Sequence, residues 1–238
     1  VEFVASGTLP NGKPVILKSN GQVEVVGYTA ISQTIPAGSE AVFNTASTYF
    51  SSIAFDPNTT GKFVVVYRDD GNSEHGTAIV GTVSGTSISF GAESVFNAAS
   101  TTWTSIAFDP NTTGKFVVVY KDEGNSSLGT AIVGTVSGTS ISFGSEVVFN
   151  SGVSSYLSLS FDPNTANKFV VVYKDIGNGA YGTARVGTVS GTSISFGSAV
   201  VFNTGTTSYL AVAFNPNTAN KFVVAYSDGG NSGYGTAI

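Results

Sequence analysis

Apolar and polar residues in this chain alternate over short stretches, and no long stretch follows the helical spacing of about 3.6 residues. The segment KFVVVYRD, residues 62–69, places Phe63, Val65 and Tyr67 on one side of an extended chain. Val64 and Val66 fall on the other side, so a strand here is apolar on both faces and needs cover on both. In TSISFGAESVF, residues 86–96, the run Ser87, Ile88, Ser89, Phe90 alternates strictly, as a half-exposed strand does. SSIAF (51–55) and GTAIVGTV (76–83) complete a set of four predicted strands. The turn DPNTTG, the loop DDGNSEHG and the turn SG separate them.

This set is written repeatedly. FDPNTTGKFVVVYRDDGN begins at Phe55, and near copies begin at Phe108, Phe161 and Phe214, each 53 residues further on. VGTVSGTSISFG begins at Val80, Val133 and Val186. A degenerate copy, GKPVILKSNGQVEVVGYTAISQTIPAGSEAVFN, precedes them once its loop after Lys18 is shortened. A fixed period of about 40–50 residues with four strands per repeat predicts an all-β β-propeller of about five four-stranded blades. The blades are expected at 1–44 (degenerate), 45–97, 98–150, 151–203 and 204–238 (incomplete), within one repeat domain. An open β-repeat array or solenoid is the competing fold.

Composition narrows the chemistry. Hydrophobic residues make up 41% and charged residues 11%, with a net charge of −5, which is not the composition of a disordered chain. The ten Lys and Arg are scattered, so no basic stripe offers itself to nucleic acid. No apolar run approaches the ~18 residues of a membrane helix, and no membrane insertion is expected. Absence of cysteine excludes disulfides, thiolate metal sites and cysteine nucleophiles. Absence of methionine makes the chain read as a fragment, a processed product or part of something longer.

Comparing the units with one another shows where the wording changes. The turns DPNTTG/DPNTAN and VSGTS barely vary. The loops between the second and third strands do: DDGNSEHG, DEGNSSLG, DIGNGAYG, DGGNSGYG. One loop position reads His75, Leu128, Tyr181, Tyr234, and each loop carries an asparagine: Asn72, Asn125, Asn178, Asn231. The segments leading into the next first strand also vary but keep an aromatic in place: Phe50, Trp103, Tyr156, Tyr209. In a propeller these variable segments share one face, where a rigid scaffold displays binding loops. Aromatics beside amides suit sugars: the ring stacks on a C–H face and Asn takes hydroxyl hydrogen bonds. The four aromatics, His75, Tyr181, Tyr234 and the four asparagines are therefore the candidate ligand residues. The opposing reading makes the repeated aromatic part of the core between blades. Asp69, Asp122, Asp175 and Asp228 read as turn caps.

Catalytic signatures are missing. His75 is the single histidine, and no GxSxG elbow or GxxxxGK[ST] phosphate loop occurs. Glycoside hydrolysis needs a pair of placed carboxylates, and Asp70, Glu74 and Glu123 are not reproduced from unit to unit. The expectation is a chain that is not an enzyme, with no cofactor and no metal.

The wording FDPNTTGKFVVVYRDDGN…GTAIVGTVSGTSISFG resembles the blade-type repeats of tail and other structural proteins of marine tailed bacteriophages. The opening FVASGTLPNGKPVILKSNGQVEVV is similar to a short β-module that often precedes such repeats. The resemblance covers essentially the whole chain and supplies no catalytic residues. It implies a virion or extracellular setting, a cell-surface glycan or polysaccharide as partner, and contact with other virion proteins. The alternatives are a structural subunit of a virion or extracellular filament, and a cellular lectin or adhesin.

Overall fold

A computed structural model describes residues 4–5, 15–20, 22–25 and 38–238. The chain divides into two compact units, Val1–Ala37 and Gly38–Ile238. In the first unit β1 (Val4–Ala5), β2 (Val15–Leu17) and β3 (Gln22–Val25) form a small sheet. β3 is central there, parallel to β1 and antiparallel to β2. The degenerate blade expected over 1–44 falls for the most part outside the described residues.

The second unit is built from four antiparallel sheets in chain order. The first contains β4 (Thr48–Phe55), β5 (Lys62–Asp69), β6 (His75–Ser84) and the leading part of β7 (Ser87–Phe108). The second contains the trailing part of β7, then β8 (Lys115–Asp122) and β9 (Leu128–Ser137). Its outer edge is shared by β10 (Ser140–Phe143) and the start of β11 (Val147–Phe161). The third contains the rest of β11, β12 (Lys168–Asp175) and β13 (Tyr181–Ser190), edged by β14 (Ser193–Phe196) and β15 (Val200–Asn203). The fourth contains β16 (Thr207–Phe214), β17 (Phe222–Asp228) and β18 (Tyr234–Ala237). The fold is thus all-β, with a four-strand unit repeated along the chain. Among the described residues the sheets form no closed barrel, and no strand pairing joins the first of the four sheets to the last. One boundary differs from expectation: the segment between a fourth strand and the next first strand is not a loop in β7. It stays extended and changes sheet through register shifts.

The doubly apolar second strand explains the stacking. Phe63 to Tyr67 are all buried, as are Phe116 to Tyr120 and Phe169 to Tyr173. Val64 and Val66 of the first sheet pack with Ile106, Phe108, Val118 and Tyr120 of the second. Val117 and Val119 pack in the same way with Leu159, Phe161, Val171 and Tyr173 of the third, and Val170 and Val172 with Val224 and Tyr226 of the fourth. At the two ends the pattern is unpaired. Ile53 is 58% exposed where its equivalent Ile106 is 6%, and Val223 is 56% exposed where Val170 is fully buried. Each such burial contributes roughly 1.5–3 kcal/mol.

Polar staples reinforce the joints. Ser52 Oγ accepts from the Ile106 backbone N–H, Ser105 Oγ from Leu159 and Ser158 Oγ from Val212, at 3.4, 3.4 and 3.3 Å. The aspartate of the DPN turn reaches into the next unit as well: Asp56 Oδ2 accepts from Gly114 N–H at 3.0 Å and Asp162 Oδ2 from Asn220 N–H at 2.8 Å. The swap of Gly61 and Gly114 for Asn167 and Asn220 also has a cause. All four lie at positive φ, between 60° and 72°, a region that Gly and Asn tolerate best. The second glycine of GTAIVGTV is needed for close approach: a Cβ on Gly81 would lie 2.0 Å from the ring of Phe63.

Burial of Asp162 opposes its ionisation, but hydrogen bonds from the Asn220 and Asn164 backbones and from Thr165 outweigh this and hold the carboxyl below its usual value. Its folded value is depressed, so its contribution is complete above the ordinary aspartate range near pH 4 and is lost as pH falls through the lower folded value. Asp162→Asn is expected to cost about 1–3 kcal/mol at neutral pH, because the amide leaves a buried N–H unsatisfied. Denaturant unfolding of both proteins at several pH values should show the difference shrinking below about pH 4.

A second prediction concerns the buried tyrosines. Tyr67 donates to Glu93 at 2.7 Å and Tyr120 to Glu146 at 2.6 Å, and burial with these acceptors holds both phenols far above their usual range. The equivalent acceptor position in the third unit is Ala199, and the Tyr173 hydroxyl is buried without a partner. Ala199→Glu should restore the bond and raise stability by about 1 kcal/mol, read as a higher melting temperature. An unchanged or lower value would show that the hydroxyl is not a stability deficit.

Candidate functional site: an aromatic ladder on the loop face

The variable segments do share one end of the sheets. Backbone bonds tie the second-to-third-strand loop to the segment entering a first strand in three of the four units: Asp70 N–H to Ser47 O, Glu123 to Ser100 and Gly229 to Thr206. The little-varying turns meet at the opposite end, where Val83 N–H donates to Gly61 O.

Within this face the invariant polar residues are structural. Asn97 Nδ2 donates to Thr101 Oγ1 and Asp122 Oδ1 at 3.0 and 3.1 Å, and Asn150 and Asn203 repeat the knot onto Asp175 and Asp228. Asp69, Asp122 and Asp228 also cap their loops, accepting from Gly71, Gly124 and Gly230. The candidates Asn72, Asn125, Asn178 and Asn231 are all exposed in the same loops. His75 and Tyr181 are half-buried at the start of their strands, and Tyr234 is exposed. The Tyr181 ring lies back over Gly179, where a Cβ would come within 2.8 Å of it.

The aromatic set forms a continuous row. Ring centroids are 5.6 Å apart for Phe50–Trp103, 4.3 Å for Trp103–Tyr156 and 5.1 Å for Tyr156–Tyr209. Each sits at a register shift in its first strand and has φ between 51° and 55°. A bulky residue in the left-handed region is an outlier that costs of order 1–3 kcal/mol. Four such residues at equivalent positions mean that the scaffold holds this strain in every unit. Trp103 and Tyr156 are half-buried, with Trp103 packed against the core, while Tyr209 is 75% exposed. The ladder therefore has a foot between the sheets, as the core reading expects of Trp103, and an edge in solvent at Tyr209.

A second row, not singled out in the sequence, lies beside the first. Position 68 and its equivalents read Arg68, Lys121, Lys174 and Ser227. The Arg68 guanidinium lies over the rings of Tyr49 and Phe50 at 4.9 and 5.8 Å, and the Lys174 ammonium over Tyr156 at 5.6 Å. Arg68 also pairs with Asp70 at 2.8 Å, and Lys121 with Glu123 at 3.0 Å. Glu123 further accepts from Ser127 and Thr102. Burial opposes its charge, but these bonds and Lys121 hold its carboxyl below the usual range. The changing residue type at this position was the available signal. Among the described residues, no three His, Asp or Glu side chains converge as a metal site.

No protein-family model matches the chain, and no curated protein matches its sequence. Solved structures do share its fold. Sqt1 of Saccharomyces cerevisiae superposes with a TM-score of 0.51 at 16% identity, over 78% of this chain and 43% of that one. The exo-β-1,3-galactanase of Phanerochaete chrysosporium, solved with galactose, gives 0.52 at 10% identity, over 81% and 46%. The NanB sialidase of Streptococcus pneumoniae gives 0.52 at 13% identity, over 72% and 26%. This chain spans less than half the length of each. These β-propeller-like neighbours support the blade reading of the repeat. They also correct the expectation that the chain is not an enzyme, because the fold is shared with glycoside hydrolases. That expectation rested on missing motifs, yet glycoside hydrolysis needs only two suitably spaced carboxylates, which separate loops can supply without a local signature.

The strain in the ladder is testable at Tyr209, its exposed end. Tyr209→Gly should be more stable than Tyr209→Ala by about 1 kcal/mol, the reverse of the usual strand preference, because only glycine adopts the left-handed conformation freely. Equal melting temperatures for the two variants would show that the conformation is unstrained.

Proposed function

We propose that the loop face is a carbohydrate-binding surface, with the aromatic ladder as its stacking platform. The observation that carries this reading is the ladder itself: four bulky aromatics held in a costly backbone conformation, which packing alone does not require of an exposed residue such as Tyr209. Sugar C–H faces stack on such rings, and the exposed Asn72, Asn125, Asn178 and Asn231 supply amide donors and acceptors for hydroxyls. The galactanase and the sialidase, whose names concern sugars, lend support through the shared fold. A cell-surface polysaccharide is the partner this surface suits. The resemblance of the repeat wording to marine phage tail proteins supports a virion or other extracellular setting.

A glycan-array screen of the purified chain tests the reading, with Trp103→Ala, Tyr156→Ala and Tyr209→Ala as comparisons. Binding by the native chain that drops about tenfold or more in the variants is expected, the loss of one stacking contact being worth about 1–1.5 kcal/mol. Trp103 touches the core, so each variant is checked by its melting curve. Tyr209→Ala is the decisive one because its side chain is exposed. Binding that survives in all three folded variants would remove the ladder from the site, and absence of any binding would overturn the proposal.

A further inference from the structure

The cation row differs from unit to unit in one respect that bears on the ligand. In the first unit Arg68 is neutralised by Asp70, with Glu74 3.7 Å away. In the second unit Lys121 is neutralised by Glu123, which Thr102 and Ser127 hold in place. In the fourth the position is Ser227, which donates to Gly233 O. Only the third unit keeps the cation and dismantles its acceptor. Ile176 stands where the second unit has Glu123, and Ala180 where Ser127 supports that carboxylate. No carboxylate of the described residues pairs with Lys174, and its recorded contact is the Tyr156 ring. The neighbouring Asp175 is buried on the other side of the strand and engaged by Asn150 Nδ2 at 3.1 Å. Tyr156 in turn packs against Tyr209, the most exposed rung of the ladder.

From the juxtaposition of an uncompensated ammonium with the exposed end of the ladder, we infer that this part of the face selects carboxylate-bearing sugars, of the uronic-acid class. The inference rests on the proposed carbohydrate surface and adds the charge of its ligand. The sugar ring stacks on Tyr209 and its carboxylate meets Lys174, a charge-assisted pair stronger than a neutral hydrogen bond. The net charge of −5 on the whole chain does not favour such a ligand, so the attraction must be local. The same arrangement in the first two units is self-quenched, and neutral rings suffice there.

The test uses oligogalacturonates and oligoglucuronates, each as the free acid and as its neutral methyl ester, titrated calorimetrically into the whole chain. At least one acid should bind about tenfold tighter than its ester, the size of one charge-assisted contact at a half-exposed site. Lys174→Gln should remove that preference. Ile176→Glu, which recreates the internal pair of the second unit without touching ladder or cation, should remove it as well. Equal binding of acid and ester, with both lost in Tyr209→Ala, would overturn the charge selection while leaving the carbohydrate surface standing. A preference that persists in folded Ile176→Glu and Lys174→Gln would place the selecting cation elsewhere and overturn the assignment. If no acid binds, while a neutral glycan still binds on the array, the inference fails alone. Silence in both experiments would sink the surface and the inference together.

Discussion

The second strand of every unit carries apolar side chains on both faces, and a single sheet has only one partner to give each face: the sheet beside it. From this constraint the rest follows. Units must stack, and the stacking face of one must match the opposite face of the next, so the matching residues recur at a fixed interval of 53. The row of Ser52, Ser105 and Ser158 bonds across each joint, and Asp56 and Asp162 of the DPN turns add a second bond at the first and third, which sets the spacing. Such a molecule is held together by nearest-neighbour terms rather than by one central core.

The stacking also shapes the functional face. First strands of adjacent units are brought close enough for equivalent side chains to touch, which turns one aromatic per unit into a ladder with centroid spacings of 4.3 to 5.6 Å. The left-handed turn at each rung re-aims the side chain out of the alternation that a regular strand would impose. Strain persists where the surroundings over-determine it, and here the knots of Asn97, Asn150 and Asn203 onto Asp122, Asp175 and Asp228 anchor the flanking chain.

Strand type, strand order and the two-faced burial of residues 63–67 were legible in the sequence because period-two patterning and repetition act on residue types directly. The grouping of variable loops at one end was legible from topology alone. The positive φ of Phe50, Trp103, Tyr156 and Tyr209 was not, since nothing in an aromatic residue advertises a left-handed backbone. The cross-unit reach of Asp56 and Asp162 was hidden because a DPN turn explains an aspartate locally. Asp70, Glu123 and Ile176 were visible as variation, but their meaning depended on Arg68, Lys121 and Lys174 standing opposite them, a relation that only the fold creates. Continuity of β7 through two sheets was missed because its joining segment, rich in Ala, Ser and Thr, reads as loop.

Near-identity of the units poses a problem of address during folding. β4 finds β5 across a turn of a few residues, yet β8 offers almost the same surface one repeat later. The slipped pairing closes a loop longer by 53 residues, an entropic handicap of only about 2 kcal/mol. The same exchange between two chains costs still less at high concentration, which is how repeat proteins come to swap strands. Residues that break the repeat therefore act as address labels. Arg185, where other units carry Ile79 and Ile132, donates to Gly197 O at 2.9 Å within its own unit and to Phe149 O of the preceding one, bonds that an isoleucine cannot make. Such departures from the repeated wording give each copy of a common sentence its place in the line.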